Sequence, residues 1–250
     1  MADGEADRLV LLPMDHPAAS ARSQFWLGVT LFIPVAISIA SYGVVWGVLA
    51  GQKGMSVLEV LLMSGLVFAG SSQFVALDSW TPGSLPVVAI VAATAIVNLR
   101  MLLMSATLRP LLAGVSRPKA FAAVFFVSDE QWAMTMAQMR NGGGSVAFLV
   151  GTGVLSWLSW VGSTLLGRVV GAFIDDPVKY GLDFAFTATF IALLLGMWKG
   201  RTDIVPWLVG ALAALLTASV IDGKWYIIVG GIVGSLAGAL ADQWRARHVA

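Results

Sequence analysis

From Phe25 to Ala50 the chain carries no charged side chain. An α-helix needs only ~20 residues to cross a hydrocarbon layer. Further apolar runs follow at Val57–Leu77, Leu85–Thr107, Val146–Val170, Tyr180–Trp198, Ile204–Ile221 and Trp225–Leu240. Short turns separate them, among them Gly51-Gln52-Lys53-Gly54, Pro82-Gly83, Asn141-Gly142-Gly143-Gly144 and Asp175-Asp176-Pro177. In lipid, backbone polar groups must pair within their own segment, so each run reads as a helix. The expected fold is an all-α polytopic membrane protein.

Composition agrees. The chain is 58% apolar and 12% charged, with a mean hydropathy of +0.85. A soluble domain is about half apolar and about a quarter charged. Soluble enzymes, disordered regulators and disulfide-stapled modules are excluded on that ground. Fifteen basic and 14 acidic residues leave a net charge of +1, with no basic field for nucleic acid. There is no cysteine, and the two histidines, His16 and His248, lie in polar tails. No metal or cofactor site is expected, and no HExxH, GxSxG or Walker A string occurs.

Residues 1–23 read as a polar disordered tail without a signal-peptide core, so the first span serves as the targeting signal. Residues 24–242 read as one transmembrane domain, and 243–250 as a second polar tail. Ala120–Met139 is ambiguous, because Asp129 and Glu130 interrupt it. If it stays on one side, there are seven spans and the N-terminus is outside. Lys53, Arg109, Arg117, Lys119, Arg140, Lys199, Arg201, Arg245 and Arg247 then face the cytoplasm, against Arg8, Arg22, Arg168, Lys179 and Lys224 opposite. If it crosses, there are eight spans and the split is even, so the positive-inside rule favours seven. Trp26, Trp46, Trp80, Trp198, Trp207, Trp225 and Trp244 fall near span ends, where an aromatic belt is expected.

Phe68-Ala-Gly-Ser-Ser-Gln-Phe-Val-Ala-Leu77 aligns with Phe184-Ala-Phe-Thr-Ala-Thr-Phe-Ile-Ala-Leu193, with five of the ten positions identical. Shared membrane composition is one explanation. The other is a duplicated three-helix unit, about 25–108 and about 145–221, joined by 109–144 and followed by a last helix at 225–241. With seven spans the copies would be inverted, a plan in which interrupted helices build a transport site near the midplane.

Gly70, Ser71, Ser72 and Gln73 can break a helix and expose amides to a carboxylate, or simply pack helices closely. Thr187 and Thr189 occupy the matching stretch of the second copy. Asp129 and Glu130 mark either an ion path at bilayer depth or a wet interfacial helix. Asn98 and Arg100 end a span, where Arg100 snorkels to the surface or pairs with a carboxylate. Asp183 is an interfacial or gating carboxylate. Gly230, Gly234 and Gly238 form a stripe that packs inside this chain or against a second subunit.

Phe68-Ala-Gly-Ser-Ser-Gln-Phe74, Asn98-Leu-Arg100, Ser128-Asp-Glu130 and Gly181-Leu-Asp-Phe-Ala-Phe-Thr187 resemble, in this order, the AzlC family of branched-chain amino acid permeases. The resemblance covers about residues 25–240. It implies export of leucine, isoleucine, valine and methionine across a bacterial inner membrane, with a small AzlD-type membrane subunit as partner. A substrate of that kind needs three pockets. Gly70, Ser71, Ser72, Gln73, Thr187, Thr189, Asn98 and Arg100 are the candidates for binding its polar end. Asp129, Glu130 and Asp183 are candidates for the amine or for proton coupling, and Phe68, Phe74, Phe184 and Phe190 for the apolar side chain. The competing classes are a gated channel for another solute, a membrane-embedded enzyme and an assembly factor. A channel would need a polar stripe along whole spans, whereas these polar groups cluster at mid-span.

Overall fold

The structure is a computed structural model. It describes residues 20–174, 200–221 and 225–248, together with 179, 181, 184, 187, 188, 191, 195 and 198. No strand occurs among the described residues. The helices are α1 (Ala21–Gln52), α2 (Val57–Leu62), a π-helical segment (Met63–Val67), α3 (Gly70–Asp78), α4 (Val87–Thr107), α5 (Arg117–Val124), α6 (Asp129–Arg140), α7 (Val146–Gly171), α8 (Ile204–Val220) and α9 (Trp225–His248). Five of them are long and apolar enough to cross a membrane. They are α1, α4, α7, α8 with its preceding turn, and α9 to Arg245.

Local chemistry sets several boundaries. Ser56 and Glu59 form a capping box at the start of α2, with the Ser56 N–H donating to the Glu59 carboxylate at 2.7 Å. Pro118 stands in the first turn of α5, where its missing N–H costs nothing. The ambiguous stretch 120–139 resolves into two helices. Asp129 and Glu130 sit in the first turn of α6, where the helix dipole favours negative charge, and Ser128 precedes them as N-cap. The last helix runs to His248, past the boundary expected at 241.

The chain divides into two compact units. One holds Met104–Ser156 with the start of α1 as far as Val35; the other holds Ala36–Leu103 and the chain from Trp157 onward. The first is built around buried Leu108, Ala123, Val127 and Leu149, with Trp132 and Met136 against them. Trp132 Nε1 donates to Thr107 Oγ1 at 2.7 Å there.

In the second unit, the later turns of α1 and α7 pack backbone to backbone. A Cβ at Gly43 would overlap Ser163, one at Gly47 would overlap the Thr164 carbonyl, and one at Gly51 would lie 3.1 Å from Arg168 Cδ. Reciprocally, a Cβ at Gly167 would overlap the Val44 carbonyl, and one at Gly171 would lie 3.1 Å from Val48 Cα. Positions rise together along both helices, so the two run parallel. Arg168 Nε also donates to the Met55 carbonyl at 2.7 Å, which places Arg168 beside the turn after α1. These contacts correct the seven-span charge partition, which put Lys53 and Arg168 on opposite sides. They also oppose an inverted repeat, in which the first helices of the two copies run in opposite directions.

Trp46 is fully buried and packs against Trp160, with ring centroids 6.4 Å apart. It therefore does not belong to the expected aromatic belt, since α1 continues past it to Gln52. Helices α8 and α9 pair antiparallel through Gly210, Gly230 and Gly234, and a Cβ at Gly238 would lie 3.6 Å from Pro206. The glycine stripe of the last helix is thus used inside this chain.

Candidate functional site

The helix begun by α2 does not run through. It widens into the π-helical segment and stops at Phe68, which adopts a left-handed conformation with φ 42° and ψ 51°. Phe68 is the one non-glycine residue with positive φ among those described. That conformation costs of order 1–2 kcal/mol for an L side chain, so the surroundings must hold it. Ala69 follows at φ −146°, and α3 restarts at Gly70. The break lies two residues ahead of the expected Gly70–Gln73, which instead form the first turn of α3.

A break strands carbonyls before it and amides after it. Gln73 is fully buried and answers several of these needs. Its Oε1 accepts from the Ala69 N–H at 3.3 Å and from Trp160 Nε1 at 2.9 Å. Its Nε2 donates to Ser64 Oγ at 3.4 Å. Ser72 is also buried, and its hydroxyl donates to the Ala69 carbonyl at 2.9 Å. On the other side of the break, Trp157 Nε1 donates to the Gly65 carbonyl at 3.0 Å. Gln73 and Ser72, both expected to meet substrate, make these hydrogen bonds around the break.

Ser71 is half-buried and differs from both. Its hydroxyl accepts a 2.9 Å hydrogen bond from Arg100 Nη2 of α4. A guanidinium thus stands at the start of α3, where the dipole is already positive and the amides of Gly70, Ser71 and Ser72 have no intrahelical acceptor. A guanidinium and a helix N-terminus each favour a carboxylate. Asn98, two residues before Arg100, keeps Oδ1 buried without a hydrogen-bond partner among the described residues.

The remaining candidates fall elsewhere. Phe68 and Phe74 are buried within the second unit. Phe184 is 57% exposed and Thr187 is exposed, so neither lines an enclosed pocket. Asp183, Thr189 and Phe190 lie outside the described residues. Asp129 and Glu130 belong to the first unit, Ser71 and Arg100 to the second. There Ser128 Oγ donates to Glu130 Oε2 at 2.5 Å. Next on α6 come Gln131 and Thr135, one turn apart and fully buried, with Gln131 Nε2 and Thr135 Oγ1 unpartnered among the described residues.

The sequence reading did not single out Ser64, Trp157, Trp160, Gln131 or Thr135. One signal was available: Trp157 and Trp160 stand at mid-span, away from the interfaces where tryptophan is enriched.

Comparison with known proteins accords with this architecture. The family model described as AzlC protein matches residues 34–174. A protein of Archaeoglobus fulgidus described as an uncharacterised membrane protein is 30% identical over 227 residues, 90% of this chain and 97% of its own. The Escherichia coli inner membrane protein YgaZ is 27% identical over 241 residues, 93% of this chain and 96% of its own. The Bacillus subtilis branched-chain amino acid transport protein AzlC is 26% identical over 221 residues, 86% of each chain. No solved structure matches. A helical membrane chain with a helix broken between Val67 and Gly70, matched by that family model over more than half its length, belongs to the AzlC protein family.

Proposed function

We infer that the chain is the large subunit of a secondary transporter that exports branched-chain amino acids, and methionine with them, across the bacterial inner membrane. The observation that carries this reading is Arg100 hydrogen-bonded to Ser71 at the restart of α3. That pair offers a guanidinium, a hydroxyl and first-turn amides to a substrate carboxylate. The transport protein of Bacillus subtilis supplies the substrate class. Asp129 and Glu130 carry the coupling proton, and a small AzlD-type membrane protein is the partner. Asn98 contributes a further polar contact near the site.

The parallel run of α1 and α7 supports eight crossings, with both termini on one side. An odd number of crossings must separate two parallel helices. Helix α4 supplies one, and the two interrupted segments 57–78 and 117–140 supply the others. The two copies of the repeat then share one orientation.

Labelled-leucine counterflow in proteoliposomes tests the function, with the chain alone and with its small partner. Valine and isoleucine should compete and lysine should not. Folded protein that shows no counterflow in either preparation refutes the reading. Uptake unaffected by an imposed pH gradient refutes proton coupling.

A further inference from the structure

Two tryptophans of α7 grip the broken helix, one on each side of the break. Trp157 and Trp160 are three residues apart and therefore share a helix face. Trp157 donates to the Gly65 carbonyl, which precedes the break, at 3.0 Å. Trp160 donates to Gln73 Oε1, which follows it, at 2.9 Å. The same Gln73 oxygen takes the Ala69 N–H within the break. The Trp160 ring also covers Gly70: a Cβ there would lie 3.1 Å from Cη2 and 3.4 Å from Cζ2. Trp160 is buried, and Trp46 packs behind it.

We propose that Trp157 and Trp160 are positioning residues of the transport site, holding the ends of the break so that Ser71 and the first-turn amides of α3 face the substrate carboxylate. This rests on the reading of the break as the substrate site. An unbroken helix would satisfy its own backbone and need no indole donors. Here the left-handed Phe68 is tolerated because a tryptophan N–H takes a carbonyl before it and Gln73 takes an amide after it. Gly70 suits the same arrangement, since a Cβ there would press on the Trp160 ring. The clamp lets any movement of α7 change the shape of the site.

The test uses the full chain in proteoliposomes, with its partner where transport requires it. Trp160→Phe removes the N–H donor and keeps an aromatic ring. Leucine KM should rise roughly threefold to eighteenfold, the span a single interhelical hydrogen bond covers in a membrane protein. Vmax should change little, and the melting temperature should fall by about 1–7 °C, the loss of the same bond read as stability. Gln73→Leu removes the acceptor of the same bond, so the double variant should match the worse single one; multiplied effects overturn the proposal. A second readout does not depend on transport. The chain has no cysteine, so Ser71→Cys gives a single reactive thiol. Its labelling rate with a small methanethiosulfonate should change severalfold when Trp160→Phe is added. An unchanged rate overturns the clamp even if leucine is not the substrate. An altered rate in protein that does not move leucine upholds the clamp and refutes the functional reading alone. If Trp160→Phe is not recovered folded, Trp157→Phe with the same thiol decides the matter in the same way.

Discussion

Gly47→Ala and Gly162→Ala are the same substitution in two transmembrane helix interiors, and the structure gives them opposite consequences. Alanine is the better helix former by about 1 kcal/mol, and that gain is common to both. At Gly162 a Cβ meets nothing within 4 Å. At Gly47 it overlaps the Thr164 carbonyl oxygen and lies 2.8 Å from Arg168 N. Both neighbours are backbone, so relief requires α1 and α7 to part. A gap of 0.5–1 Å forfeits about a quarter to a half of the dispersion energy across a contact. Overpacking of this kind costs about 1–3 kcal/mol. Because the propensity gain cancels in the comparison, the two variants should differ by that amount. At ~2–4 °C per kcal/mol for a chain of this size, the melting temperatures should be separated by roughly 2–12 °C, with Gly47→Ala lower. Tryptophan fluorescence in lipid nanodiscs reads this directly, since Trp46 and Trp160 are in ring contact beside the seam. Equal melting temperatures, or a lower one for Gly162→Ala, would refute the parallel seam and the eight-crossing topology drawn from it.

Lys53→Cys and Phe173→Cys, placed singly in a chain that has no cysteine, should label from the same face of the membrane; labelling from opposite faces restores seven spans. Arg100→Gln should raise leucine KM by roughly tenfold to a hundredfold, the scale of a hydrogen bond to a charged group. Ser71→Ala leaves the guanidinium in place and should raise it less; counterflow titrations giving the reverse order remove Arg100 from the site. Gly234→Leu should disrupt the α8–α9 pair, because a Cβ there lies 3.2 Å from Gly210 Cα, while Gly231→Leu enters open space and should be silent in melting.

The long spans were legible because lipid demands uninterrupted apolar runs, and Phe25–Ala50 has no other reading. The helix break was legible from Gly70-Ser71-Ser72-Gln73, but its position was not. The residue that turns the chain is Phe68, and nothing in its chemistry announces a left-handed conformation. The split of 117–140 was readable in hindsight from Ser128-Asp129-Glu130, a cap followed by acidic first-turn residues. The orientation of α7 was not readable from charge. Counting Lys and Arg assigns a side to each loop by bulk preference, whereas Arg168 is committed to one backbone carbonyl. The stripe Gly43, Gly47, Gly51 has the same spacing as Gly230, Gly234, Gly238. It went unread because its partner, Ser163, Gly167 and Gly171, lies more than a hundred residues away in the chain.

A buried polar residue in this chain declares its role by where its hydrogen bond goes. Helices in lipid gain little from hiding apolar surface, so small and hydroxylated residues are expected between them as ordinary packing. Thr152, Ser163 and Thr164 fit that account: each hydroxyl returns to a carbonyl three residues back in its own helix, and none needs a neighbour. Gln73, Trp160, Trp157 and Arg100 do not. Each reaches across to another element, and these bonds converge on the few residues around the break, from Ser64 to Gln73. Bonds of that kind fix a geometry that the backbone alone would not keep. Their convergence is why the broken helix is the proposed site in a chain whose composition would hide it among many serines and threonines. Gln131 and Thr135 form a third class, buried polar groups with atoms that nothing among the described residues satisfies. They lie on the helix that Asp129 and Glu130 begin, the segment proposed to carry the coupling proton.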